Sequence, residues 1–126
     1  MKTYFLGTPI IILAAMVISA PGAQAAPAPK KPAAFAQCAM CHKVDKSGTN
    51  GIGPNLFGVY GEKAGSKPGY KFSPAMKKWG KKLDDASLNA FIQNPRKSVP
   101  GTKMAFAGMQ DAAKRKAIIA WLKTQK

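Results

Sequence analysis

The segment Cys38-Ala39-Met40-Cys41-His42 holds both cysteines and the only histidine of the chain. A disulfide between Cys38 and Cys41 would close a very small loop and remove little chain entropy. As a dithiol redox motif it would need a βαβ pattern around it, and no strand of useful length reads out of the sequence. A zinc site needs four ligands, and no further cysteine or histidine exists to supply the fourth. The remaining chemistry for C-x-x-C-H is covalent haem attachment. The two thiols add to the two vinyl groups, a short helical turn spaces them, and the adjacent His42 lies under the iron as proximal ligand. One haem c per chain, bound through Cys38 and Cys41, is the expectation. Such a plate also offers a chain of this size an apolar surface to pack around.

That attachment takes place outside the cytoplasm, and the first residues agree. Lys2 is a short positive segment, Ile10 to Ala20 is apolar but short for a membrane span, and Ala23-Gln24-Ala25 has the small residues of a cleavage site. Residues 1–25 are therefore expected to be a signal peptide, the alternative being an uncleaved anchor. No second apolar run follows, so a periplasmic monomer without stable membrane insertion is expected. Cleavage leaves 101 residues in one domain, and the formal charge falls only from +15 to +14 because Lys2 is the only charge lost. A chain this basic calls for an acidic partner surface, a membrane or a nucleic acid; export argues against nucleic acid.

The rest of the chain reads as short helices and loops. Ala26 to Lys31 is a Pro/Ala/Lys tether, and residues 32–126 form the domain. Pro32 opens a short helix, Ala33 to Cys41, that turns Phe35 inward. Gly51 to Gly61, GIGPNLFGVYG, is glycine-rich yet carries Leu56, Phe57, Val59 and Tyr60, so it must lie on something apolar. Ser73 or Pro74 begins a helix that leads to Trp79 and stops at Gly80. Asp84 or Asp85 caps the next, with Leu88, Phe91 and Ile92 at helical spacing. Asn94-Pro95 ends it. Pro100, Gly101 and Gly108 forbid a long helix after that. Asp111 caps the last helix, which runs to about Thr124. Ile118, Ile119, Trp121 and Leu122 form its inner face, with Lys114, Arg115, Lys116 and Lys123 on the other. The fold class is all-α, with about four or five short helices.

With His42 on one side of the iron, a methionine is the natural sixth ligand. Met1 and Met16 leave with the leader, and Met40 is confined to the attachment loop. Met76 and Met109 have packing as their commoner role. Met104 lies in VPGTKMAFAG, a loop held by Pro100, Gly101 and Gly108. The spacing favours Met104, with Met76 and Met109 as alternatives.

CAMCH, GPNLFGVYG, PGYKFSPAMKKWG, NPRKSVPGTKMAFAG and IIAWLK together resemble the class I cytochromes c, the group shared by mitochondrial cytochrome c and its bacterial relatives. The match runs from Phe35 to Lys123 in the family order. The resemblance implies a class I cytochrome c fold whose first and last helices cross through Phe35 and Trp121, and it implies Met104 as ligand. It further implies that the Pro54 carbonyl accepts a hydrogen bond from His42, that the Trp79 indole reaches a haem propionate, and that Phe106 covers the exposed side of the haem. Phe72 and Phe91 stand where the family often has tyrosine. Glu62 stands where it commonly has arginine near the inner propionate, so Glu62 turns to solvent or its loop differs.

Two axial protein ligands leave no open coordination site, which points to a one-electron shuttle between a reductase and an oxidase or reaction centre. Lys43, Lys97 and Lys103 flank the ligand-bearing segments and are the candidate docking lysines for acidic redox partners. A haem peroxidase or a small-gas-binding protein is the alternative. Both need a displaceable sixth ligand, and the peroxidase also lacks a distal histidine. A disulfide redox module would need free thiols and no haem.

Overall fold

A computed structural model of the chain describes Gly7 and residues 14–126; Lys2 and Ile10 to Leu13 of the expected leader lie outside the described residues. Residues 14–31 carry no helix or strand, and no helix is long and apolar enough to cross a membrane among the described residues.

Regular structure among the described residues begins after Pro32. The fixed φ of that proline starts a 3-10 turn, Ala33–Phe35, that continues into α1, Ala36–Ala39. The helix expected to reach Cys41 therefore ends earlier, and Met40 to His42 form the turn that follows it. The N–H groups of Cys41 and His42 both donate to the Cys38 carbonyl, at 3.1 and 2.9 Å. Helix α2 is Pro74–Trp79: Ser73 caps it through its hydroxyl, Pro74 takes the first helical position, and Gly80 closes it in the left-handed region. Helix α3 is Asp85–Gln93. Asp84 is the cap, and with Ser87 it forms a reciprocal capping box. Helix α4, Pro95–Ser98, is a single turn that was not expected; Asn94 ends α3 and caps α4 with its side chain. Helix α5 is Ala112–Leu122, capped by Asp111. One 3-10 turn, five α-helices and one isolated antiparallel bridge, Lys63 to Lys82, are the regular structure among the described residues.

Helices α3 and α5 pack on each other, and α5 also packs on the N-terminal turn. The core they share contains Phe35, Leu88, Ile92, Ile118, Trp121 and Leu122, with Met109 filling the end nearest the C-terminus of α3. Phe35 meets Trp121 edge to face, with ring centroids 4.7 Å apart, an arrangement worth ~0.5–1.5 kcal/mol beyond area burial.

Arg115 corrects the reading of α5. It was expected on the solvated face but is 5 % exposed. Its Nε–H donates to Asn89 Oδ1, and its Nη1 donates to the carbonyls of Met109 and Gln110, each at 2.8 Å. One guanidinium therefore joins α5 to α3 and to the segment that leads into α5. Spacing accounts for the burial: Ile118, Ile119 and Leu122 lie three, four and seven residues on, so Arg115 shares their stripe.

The long loops are tied by a second polar residue. Asn55 is fully buried. Its amide donates to the carbonyls of Asp45 and Thr49, both at 3.2 Å, and its Oδ1 accepts from the Phe57 N–H at 2.9 Å. The stretch Gly51 to Gly61 is folded back on the attachment segment through Gly53 N–H to Cys41 and Leu56 N–H to Lys43, and it buries Val59 while leaving Ile52 exposed.

Candidate functional site

The interior face of these elements is an apolar cleft of about 410 Å3. Its volume falls in the ordinary range for small-molecule and cofactor sites. Cys38, Cys41 and His42 line it from the turn after α1, and Met104 and Phe106 line it from the loop between α4 and α5. Pro54 and Trp79 also line it. The structure thus brings to one cleft all seven residues singled out for the cofactor.

The imidazole is held from two directions. His42 Nδ1 lies 2.7 Å from the Pro54 carbonyl oxygen. A carbonyl can only accept, so Nδ1 carries the proton and Nε2 keeps its lone pair. Gly53 closes the other side: a Cβ there would sit 2.5 Å from the ring Cε1, so only glycine lets the loop lie flat on the imidazole. The Gly53 N–H donates to the Cys41 carbonyl at 2.8 Å, which fixes the loop to the attachment turn. Burial lowers the His42 pKa, and the Pro54 hydrogen bond opposes that shift. The neutral, ligating form is favoured.

No disulfide joins the two cysteines; Cys38 is half-buried and Cys41 exposed. Burial first, and the neighbouring Cys41 second, push the Cys38 thiol upward. Burial therefore favours the neutral thiol at Cys38.

Met104 is half-buried, and its N–H donates to the Thr102 hydroxyl at 3.2 Å. Its loop is pinned at both ends. Lys103 Nζ donates to the Lys71 carbonyl at 2.5 Å. The Met109 N–H donates to the Ile92 carbonyl at 2.9 Å. Gly108, with φ +114°, allows the close approach there; a Cβ would lie 2.2 Å from the Gln93 carbonyl oxygen. Of the alternatives, Met76 also lines the cleft, whereas Met109 is buried in the core. Trp79 packs on Phe91 with ring centroids 5.8 Å apart. Phe72 stacks edge to face on Tyr70 at 4.8 Å. Both phenylalanines face the cleft, so no hydroxyl enters it at either place.

The three docking lysines are placed differently from one another. Lys103 lines the cleft. Lys43 is exposed directly after His42. Lys97 lies on a separate groove of about 880 Å3 beside Trp79, Lys81 and Lys82. Residues that sequence reasoning passed over are Gly53 and Asn55, and Arg115 is the one it placed on the wrong face. The one signal for the first two was their position inside an apolar loop.

The donor set and the cleft fit a covalently held haem: two thiols, one imidazole with a free Nε2, a thioether and an apolar wall. The family model described as cytochrome c matches residues 30–126. Cytochrome c2 iso-1 of Magnetospirillum molischianum is 48 % identical over 97 residues, covering 75 % of this chain and 96 % of the relative. Cytochrome c of Euglena viridis is 51 % identical over 87 residues, covering 69 % and 84 % respectively. Among solved structures, cytochrome cH from Methylobacterium extorquens superposes with a TM-score of 0.68 at 51 % identity, covering 72 % of this chain and 91 % of that one. The chain belongs to the cytochrome c family: it has the small class I fold, carries haem c through Cys38 and Cys41, and is an electron-transfer protein rather than an enzyme.

Proposed function

We propose that the protein is an exported one-electron shuttle whose haem iron is held between His42 and Met104. The observation that carries this reading is the convergence of His42 Nε2, the Met104 thioether and both cysteines on one apolar cleft. When bound, the haem supplies a ferric/ferrous couple. The chain's own part is to bind, orient and exclude water. Pro54 fixes the tautomer of His42 and strengthens its donation. Met104 offers a soft donor, which favours the reduced state and raises the potential relative to harder ligand pairs. The apolar wall acts in the same direction, because low dielectric disfavours the extra charge of the oxidised state. Phe106 and Trp79 line the cleft, where Phe106 would cover the haem and the Trp79 indole N–H would be the donor to a propionate. The pinned Met104 loop and the Pro54-bound His42 would each hold their ligand in either oxidation state, so little would have to reorganise.

Residues 1–25 act as a signal peptide, 26–31 as a tether and 32–126 as the working domain in the periplasm. Lys43, Lys97 and Lys103 steer the protein to acidic faces of a reductase and of an oxidase or reaction centre. Peroxidase chemistry has no distal histidine to call on, since His42 is the only one. The test is an equilibrium redox titration of the purified holoprotein with peroxide turnover measured in parallel. A single reversible one-electron wave with negligible peroxide turnover supports the shuttle. Peroxide turnover at the rate of a dedicated peroxidase, with a sixth position open to added ligands, overturns it.

A further inference from the structure

The cleft wall carries few charged groups. Apart from His42 they are Glu62, Lys63, Lys67 and Lys103, with Tyr70 as the one phenol beside them. Three of these four charged residues hang from one loop. Glu62 is exposed, although it also borders the cleft. The Lys63 stem lies across Gly80, where a Cβ would meet its Cε at 3.1 Å. The Lys103 ammonium is engaged with the Lys71 carbonyl and sits 5.8 Å above the Tyr70 ring.

Lys67 is the exception. It is half-buried on the cleft wall, and its Nζ donates to the Phe57 carbonyl. An ammonium has three donors, and one is used there. The ion pairs among the described residues are Lys114 with Asp111 and Lys123 with Asp85, so Lys67 has no carboxylate partner. A half-buried cation beside apolar walls calls for an anion. The haem that enters this cleft brings two carboxylates of its own, its propionates.

We propose that Lys67 is the positioning cation for a haem propionate, with the Phe57 carbonyl, next to the cleft-lining Leu56, holding its ammonium. Lys67 thereby supplies the positive charge that Glu62, five residues earlier, cannot. The assignment rests on the haem being in the cleft and not on which residue is the sixth ligand. A cation at this position keeps the propionate ionised and offsets its negative charge, which would otherwise favour the oxidised iron.

The experiment uses the holoprotein and four variants: Lys67→Met, Lys67→Arg, Glu62→Gln and, as a surface control, Lys116→Met. Two readouts are followed against pH: the propionate titration by NMR of the haem substituents, and the midpoint potential. The far-red band of the ferric protein is recorded in parallel and reports the sixth ligand independently. In Lys67→Met the propionate pKa rises by about one unit or more and the neutral-pH potential falls. Lys67→Arg restores both, Glu62→Gln shifts the titration slightly the other way, and Lys116→Met changes neither. A Lys67→Met titration that overlays the wild type overturns the proposal. So does an equal shift in Lys116→Met, which would make the effect one of bulk charge.

Discussion

Removing the Arg115 side chain tests whether the segment after Met104 is held by a single buried cation. Arg115 donates three hydrogen bonds, two of them to the carbonyls of Met109 and Gln110. A hydrogen bond to a charged group contributes ~1.5–3 kcal/mol, and a buried acceptor left unpaired costs ~1–3 kcal/mol. These effects overlap, so Arg115→Ala should cost about 4 kcal/mol, a large share of a typical total of ~5–15 kcal/mol. At a urea slope of about 2 kcal/mol per molar, the unfolding midpoint falls by about 2 M. Arg115→Lys retains the charge but not the fork, and should lie between the two. Urea titration of the holoprotein, followed by far-ultraviolet circular dichroism, gives the global value. The ferric far-red absorption reports the Met104 loop and should weaken at lower urea than the helices melt. A loss under ~1 kcal/mol, equal to that of the exposed Lys116→Ala, would refute the reasoning.

Two further predictions follow from local geometry. Gly108→Ala places a Cβ 2.2 Å from the Gln93 carbonyl oxygen at a φ of +114°, so the loop must leave α3. We expect loss of the far-red band with haem still attached, and a band of wild-type intensity would contradict this. Asp85 accepts hydrogen bonds from Lys123, the larger effect, and from Tyr60, which together hold its carboxyl below the ordinary value. Because the folded pKa is the lower one, this stabilisation is full above the unfolded value of ~3.9 and is lost as pH falls through the folded value. Asp85→Asn should therefore lower thermal stability at pH 7 and flatten its decline below about pH 4. An unchanged slope would count against the pair.

Much of the site was legible because its chemistry is local. Cys38, Cys41 and His42 are adjacent in sequence, and the caps Ser73, Asp84 and Asp111 act within three residues. The Met104 loop was marked by Pro100, Gly101 and Gly108. What was missed was misread by residue type or hidden behind a local stop signal. Arg115 was assigned to the surface by residue type although its spacing matched Ile118, Ile119 and Leu122; the deciding acceptors, Asn89 and the Met109 and Gln110 carbonyls, carry no sequence signal. The turn of α4 was hidden because Asn94-Pro95 reads as a stop, and Asn94 serves as both the end of one helix and the cap of the next. Lys97 sits beside Met104 in the same motif, yet α4 carries it to the Trp79 groove rather than the cleft wall.

The central claim is that Met104 and His42 hold the iron in one cleft. The most direct measurement is the ferric absorption spectrum of the matured protein beside those of Met104→Ala and Met76→Ala. The account predicts the weak far-red band of a methionine-bound haem in the wild type and in Met76→Ala, and its loss in Met104→Ala with the haem still covalently attached. A band that survives in Met104→Ala, or that the wild type lacks, would contradict it.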